Sequence, residues 1–224
     1  MDQKWEKNVL QAKMYTDKPL ERRFTEPLTP VAIFNAFFDD DVVKYMVKMT
    51  KLYAQRDKGK HGFSIDVSEM RLFYTVLILS GYSVLPRRRM YWENSDDVSN
   101  KAMSDAMSRN RFEEILSVFH VCDNESLVAS DTMAKIRPLF TLINEKCFQY
   151  FRNVEHLSID ESMLPYYGRH GSKQRILGKP VRMGYKMWVL ATSDGYVVQF
   201  EPYQGAKKSG GTRVSECAEV TVRQ

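Results

Sequence analysis

Residues 156–205 read HLSIDESMLPYYGRHGSKQRILGKPVRMGYKMWVLATSDGYVVQFEPYQG. Apolar and polar residues alternate at the start of this stretch, in the order Leu157, Ser158, Ile159 and Asp160. Because successive side chains of a strand point to opposite faces, the alternation predicts a short, half-buried strand. The two apolar side chains then share the buried face, and Asp160 lies on the opposite, polar face.

The second half of this stretch predicts a β-hairpin. The runs 184–192 and 196–200 are rich in aromatic and β-branched residues, and a Ser-Asp-Gly turn separates them. A polar loop with several glycines lies between the first strand and the hairpin. From residue 168 to residue 190, the loop and the next strand carry bases and no acidic residue. These bases are Arg169, Lys173, Arg175, Lys179, Arg182 and Lys186.

A carboxylate beside several bases suits the handling of a phosphodiester. A carboxylate oxygen is a hard ligand that Mg²⁺ accepts, so Asp160 is the candidate catalytic and metal-binding residue. Lys and Arg neutralise phosphates, so the bases that follow are candidate nucleic-acid contacts. From these residues alone, a solvated basic loop is an equal alternative.

The same stretch resembles the start of the catalytic domain of piggyBac-type transposases and of the proteins derived from them. The resemblance rests on the Ile-Asp-Glu triplet, the Gly-Arg pair, the segment KPVRMGYKMW, the Asp-Gly-Tyr turn and the ending PYQG. It extends upstream through PRRRMYW and MSRNRFEEILSVFHVCDN, and it covers residues 28–206.

The resemblance implies a mixed α/β (α+β) fold. We expect an N-terminal all-helical domain, followed by the first three strands of an incomplete ribonuclease-H-like transposase domain. The expected divisions are a flexible lead-in (1–27), a helical dimerisation and DNA-binding domain (28–154), a partial catalytic domain (155–206) and a divergent tail (207–224).

The resemblance also implies a catalytic site of three aspartates that holds Mg²⁺. Asp160 corresponds to the first of them. Glu161, Asp194 and Glu201 correspond to neither of the others, and two-metal catalysis needs several carboxylates around its two cations. We therefore expect a truncated, catalytically inactive product without a functional metal, in which Asp160 is a remnant.

The upstream part of the chain predicts helices. Thr29-Pro30 and Asp39 are typical helix starts. Ser68 is expected to cap a helix over 69–80, which Gly81 ends; because this helix is apolar nearly all round, we expect it to be buried. The other expected helices cover 97–106, 108–121 and 133–152, and Pro138 either kinks the last one or marks its start.

Three consecutive arginines, Arg87, Arg88 and Arg89, precede Tyr91 and Trp92. Arginine grips phosphates, and aromatic faces can stack on bases. We expect the two aromatic side chains to anchor the segment to the core. Phosphate binding and a solvated turn are balanced alternatives for the arginines, and the resemblance, which implies a DNA-contacting helical region, favours phosphate binding.

The charge is unevenly distributed along the chain. The net charge is +5 overall, with −1 over residues 1–164 and +6 over 165–224, which points to an anionic polymer as partner. The three cysteines are scattered, which predicts neither disulfides nor a zinc site and favours an intracellular protein. We expect no membrane partner, because the apolar runs are too short to span a bilayer.

These observations favour a domesticated piggyBac-derived protein that binds DNA in the nucleus, as a homodimer or together with related transposase-derived chains. Two alternatives stay open. One is an active transposase or nuclease whose remaining carboxylates come from a partner chain. The other is an interaction scaffold that does not bind DNA.

Overall fold

A computed structural model describes residues 29–151, 154 and 156–204. In this part of the chain, helices precede an antiparallel sheet, so the expected mixed α+β class is confirmed. The helices are α1 (Pro30–Phe37), α2 (Asp40–Leu52), α3 (Val67–Tyr82), α4 (Lys101–Ala106), α5 (Arg109–Val118) and α6 (Arg137–Gln149). The expected lead-in (1–27) and divergent tail (207–224) lie outside the described residues.

Side-chain caps start the first two helices where the sequence predicts them. The Thr29 hydroxyl accepts a hydrogen bond from the Ala32 N–H at 3.2 Å, and the Asp39 carboxylate accepts one from the Val42 N–H at 3.0 Å. Each cap satisfies a backbone donor that the first helical turn leaves without a partner. Pro138 lies in the first turn of α6, so it marks the start of that helix.

Helix α3 differs from its prediction at both ends. Asp66, not Ser68, caps it, because the Asp66 carboxylate accepts a hydrogen bond from the Glu69 N–H at 2.7 Å. Gly81 does not end the helix: the Ser83 N–H still reaches the Leu79 carbonyl at 2.9 Å, which continues the helical pattern past the glycine. Helices α4 and α5 are shorter than the expected segments 97–106 and 108–121.

The helical core lies between α2, α3, α4 and α5. Met46, Phe73 and Phe112 are among its fully buried side chains. The opposite face of α3 meets solvent, where Ile78 is 46% exposed and Tyr82 is 86% exposed. The expectation of an α3 buried all round was therefore wrong, since only one of its two apolar faces packs on the core. No helix in the described residues is long and apolar enough to cross a bilayer.

The described sheet has four antiparallel strands rather than the expected three. They are β1 (Leu157–Pro165), β2 (Gln174–Arg175), β3 (Met183–Thr192) and β4 (Val197–Pro202). Strand β3 is central: it pairs with β1 along one edge and with β2 and β4 along the other. The predicted hairpin is confirmed, and Gly195 at its turn has a φ of +87°, which glycine adopts without strain. The short β2 was not predicted, because its sequence is polar.

Strand β1 is more exposed than its sequence predicts. Leu157 is 41% exposed and Ile159 is 44% exposed, although both are apolar. The reason is that β1 is an edge strand of the described sheet, where it pairs only with β3. The expected half-buried strand is therefore wrong in its burial, while the alternation of its side chains is right.

Helix α6 joins the helical core to the sheet. Its residues Leu139 and Leu142 pack against the helical core. On its other side, the Asn144 side-chain amide donates to the Phe200 carbonyl at 2.8 Å and accepts from the Phe200 N–H at 3.0 Å, so it pairs with the edge of β4 as a strand would. The domain boundary at residue 154 stays a prediction, and α6 packs on both sides of it.

Candidate nucleic-acid interface

Asp160 lies in the middle of β1, with its side chain exposed to solvent. It is paired in register with Val189 of β3, whereas Ile159 is paired with Leu190. Residues paired in register share a face, so the Asp160 side chain lies opposite Ile159, as the sequence predicts. One Asp160 carboxylate oxygen accepts a hydrogen bond from the Glu161 N–H at 2.7 Å.

The described residues do not by themselves form a two-metal centre. None of their His, Cys, Asp and Glu side chains gather in a group of three or more that could hold a metal ion. Glu161, the acidic neighbour of Asp160, lies on the other face of the sheet and binds Lys186. Asp160 therefore supplies a single exposed carboxylate, and a metal held between several carboxylates does not fit this set of donors.

The basic loop, which we define as residues 166–182, folds back against one end of the sheet. Strand β2 within the loop pairs with Met183 and Gly184 at the start of β3, and the Ile176 N–H donates to the Arg182 carbonyl at 2.9 Å. Since Pro165 at the end of β1 pairs with Gly184 from the other side, the loop lies at the end of the strand that carries Asp160.

Three arginines of the basic loop are exposed and unengaged. The side chains of Arg169, Arg175 and Arg182 make no hydrogen bond or ion pair with any described residue. Lys173 and Lys179 are partly exposed, and their ammonium groups donate to backbone carbonyls at 3.0 and 3.4 Å. The structure thus brings five of the predicted nucleic-acid contacts together at one end of the sheet.

Lys186 is placed differently from the other five bases. It lies on β3, and its side chain is only 14% exposed. Its ammonium group forms an ion pair with the Glu161 carboxylate at 2.6 Å and lies over the rings of Trp188 and Tyr203, at 4.2 and 4.8 Å from their centroids. Its positive charge is therefore already matched within the protein.

The segment 86–92 is held to the helical core by its aromatic residues. Tyr91 is 5% exposed, and its hydroxyl donates to the Ser83 carbonyl at the end of α3. The Trp92 indole N–H donates to the Met107 carbonyl at 2.7 Å, and its ring packs on Phe112. These contacts agree with the predicted anchoring role: Tyr91 is buried, and Trp92 is held by its indole hydrogen bond and by Phe112.

The arginines of this segment gather around one carboxylate. Arg89 binds Glu113 of α5 with two hydrogen bonds, at 2.9 and 3.3 Å, although its side chain is 69% exposed. This hydrogen bonding holds the pKa of Glu113 below its ordinary value, and the nearby charges of Arg88 and Arg109 lower it further. Sequence reasoning missed Arg109; its spacing of four residues from Glu113 on one helix was the available signal.

Comparisons with known proteins show the family and the fold to which this chain is similar. A family model described as Transposase IS4 matches residues 29–221. The human PiggyBac transposable element-derived protein 3 is 45% identical over 210 residues, which is 90% of this chain. This chain belongs to the piggyBac transposable element-derived protein family. The human PiggyBac transposable element-derived protein 2 is 43% identical over 85% of the chain.

The family match covers only part of each relative. The chain spans 34% of PiggyBac transposable element-derived protein 3 and 32% of PiggyBac transposable element-derived protein 2. Among solved structures, a piggyBac transposase in a synaptic complex with hairpin DNA superposes with a TM-score of 0.65. That match has 24% sequence identity and covers 85% of this chain and 41% of the transposase, so it shows a shared fold.

Proposed function

We propose that this chain is a DNA-binding, transposase-derived protein whose principal phosphate contacts lie on the basic loop. The observation that carries the proposal is the set of three exposed, unengaged arginines, Arg169, Arg175 and Arg182, on a loop without acidic residues. Guanidinium groups bind phosphate oxygens with two parallel hydrogen bonds, so each arginine can hold one phosphate. Lys173 and Lys179 add two further charges to the same end of the sheet.

We assign a second phosphate-binding surface to Arg87, Arg88 and Arg89. All three are exposed, and buried Tyr91 fixes the short 3-10 helix Arg88–Trp92, which Arg87 directly precedes. Arg89 shares its charge with Glu113, so Arg87 and Arg88 are the stronger candidates. Lys186 is instead assigned a positioning role within the sheet, where it holds Glu161 of β1 against β3. Glu161 and two aromatic rings already surround its charge.

The sheet is proposed to be part of a ribonuclease-H-like domain in which Asp160 is the first acidic residue of the site. Mg²⁺ is the metal that the family's chemistry implies, and the described residues offer it one carboxylate. The proposal for this chain is therefore DNA binding without cleavage, in the nucleus, where its DNA partner is found. A homodimer or a complex with related transposase-derived chains belongs to the same proposal.

A direct binding measurement tests this proposal. The 224-residue chain is titrated into fluorescently labelled duplex DNA at low and at moderate salt, and the fluorescence anisotropy is recorded. We expect binding at low salt that weakens steeply as salt rises, since cations condensed on the DNA are released on binding. The absence of binding at low salt would refute the proposal.

One observation favours a second candidate function, an interaction scaffold. The outer face of α3 presents Leu72, Ile78 and Tyr82 to solvent at 41%, 46% and 86% exposure. Exposed apolar side chains that share a face are typical of protein-binding surfaces. Two results together would favour the scaffold over the DNA-binding protein. The chain would not bind DNA, and it would form a stable complex with another protein chain that Ile78→Asp abolishes.

A further inference from the structure

Tyr167 is the most exposed of the large apolar and aromatic side chains in the described part of the chain. It is 90% exposed, and it lies in the basic loop two residues before Arg169. An aromatic ring left in water loses the favourable burial that rings usually find in a fold. Tyr167 lies beside basic side chains that can hold a DNA backbone, so a ligand with a flat face could cover its ring.

The backbone that carries Tyr167 is fixed by the residues around it. The neighbouring Tyr166 ring stacks on Tyr185 with centroids 4.8 Å apart, and the His170 ring meets Tyr185 edge-on at 5.4 Å. A side chain at Gly168 would collide with the Tyr166 ring and would have to displace it from Tyr185. The loop backbone on both sides of Tyr167 is therefore held in place.

Tyr166, the residue next to Tyr167, lies on the face of the sheet that carries Asp160. Tyr185 is paired in register with Leu164, which shares a face with Asp160 because the two are four residues apart on β1. Tyr166 stacks on Tyr185 and therefore lies on that face. At about 3.3 Å per residue, Asp160 and the end of β1 are separated by about 17 Å, roughly the span of a few nucleotides.

We propose that Tyr167 is a stacking site for an unpaired DNA base. The neighbouring phosphates are held by Arg169 and by the other basic side chains of the loop. This inference rests on the proposed DNA-binding function and adds the form of DNA that the loop prefers. In a duplex, bases are stacked on one another and offer no free face to a protein ring. An unpaired base in a single strand or at a distorted end can stack on Tyr167, as bases do on aromatic platforms of single-strand-binding proteins.

The test measures the binding of two DNA forms to the 224-residue chain and to three of its variants. A single-stranded thymidine oligonucleotide and a blunt duplex of equal length are the probes, and anisotropy gives both affinities. Tyr167→Ala should weaken single-strand binding by about 5- to 150-fold, the range that one stacked base is worth, and should leave duplex binding unchanged. Tyr167→Phe should keep wild-type affinity, because the ring remains.

Phe148→Ala is the matched control, since Phe148 is also an exposed aromatic residue, at 48%, but lies on α6 and not in the basic loop. It should change neither affinity. Equal weakening on both probes by Tyr167→Ala, or a loss with Tyr167→Phe as large as with alanine, would overturn the stacking role while leaving DNA binding intact. If the wild-type chain bound neither probe, the proposed function itself would fail and this inference with it.

Discussion

Replacing Lys186 with methionine should destabilise the fold and leave DNA affinity nearly unchanged. Methionine keeps most of the apolar stem that lies along the sheet and removes only the charge. The lost interactions are the 2.6 Å ion pair with Glu161 and the contacts with the rings of Trp188 and Tyr203. The ion pair links β1 to β3, and the Tyr203 contact links β3 to the residue that follows β4.

The magnitude follows from the partial burial of the pair. A charge-assisted hydrogen bond contributes about 1.5–3 kcal/mol, and a partly desolvated cation–π contact adds about 0.5–2 kcal/mol. Glu161 is 28% exposed, so water takes over part of its solvation when the lysine is lost. We therefore expect a decrease of about 2–3 kcal/mol in the free energy of unfolding.

Urea denaturation followed by circular dichroism measures this decrease, with Glu161→Gln and the double variant completing a thermodynamic cycle. We expect a coupling energy of about 1 kcal/mol or more, because the two side chains touch. Arg175→Gln is the reference, since Arg175 is exposed: it should lower DNA affinity and not stability. A Lys186→Met variant with wild-type stability and an affinity loss equal to that of Arg175→Gln would refute the positioning role.

Three further predictions test other parts of the structure. Glu113→Gln should free Arg89 for phosphate and make the salt dependence of duplex binding steeper by about one unit of slope, which an anisotropy titration measures; a shallower slope would contradict this. The Arg137 guanidinium donates a hydrogen bond to the Asp131 carboxylate and holds the pKa of Asp131 below its ordinary value, although the partial burial of Asp131 acts in the opposite direction. This ion pair therefore stabilises the folded chain above the ordinary aspartate pKa of about 4 and is lost as the pH falls through the lower folded-state pKa. Urea denaturation of Asp131→Asn should show a smaller loss of stability below about pH 4 than the wild type, and identical pH profiles would contradict the assignment. The purified chain should not cleave duplex DNA with Mg²⁺ or Mn²⁺, and cleavage that Asp160→Ala abolishes would contradict the proposed absence of catalysis.

Local signals in the sequence were sufficient for most of the fold. Thr29, Asp39 and Pro138 start helices where capping and proline chemistry place them, and the turn at Gly195 joins the predicted hairpin. These features depend on interactions within a few residues of sequence. The cap of α3 was missed because Asp66 and Ser68 are both good caps, and only the hydrogen-bond geometry distinguishes them.

Features that depend on distant residues could not be predicted in the same way. Lys186 belongs to the same run of basic residues as Lys173 and Lys179, and only the register between β1 and β3 places Glu161 beside it. The exposure of Tyr167 and the outer face of α3 likewise depend on what packs against them. Apolar composition predicts burial on average, but it does not show which face of an element finds a partner.

The most direct test of DNA binding by the basic loop is the salt dependence of duplex affinity in two variants of equal charge. One variant replaces Arg169, Arg175 and Arg182 with glutamine. The control replaces three lysines of α2 with glutamine: Lys44, Lys48 and Lys51.

A plot of the logarithm of affinity against the logarithm of salt concentration gives the number of phosphates neutralised. We predict that the loop variant lowers the slope by about 3, because three phosphate contacts are lost at about 0.9 each. The α2 variant should keep the wild-type slope. Equal slopes in the loop variant and the wild type, or an equal decrease in both variants, would contradict the placement of the DNA on the basic loop.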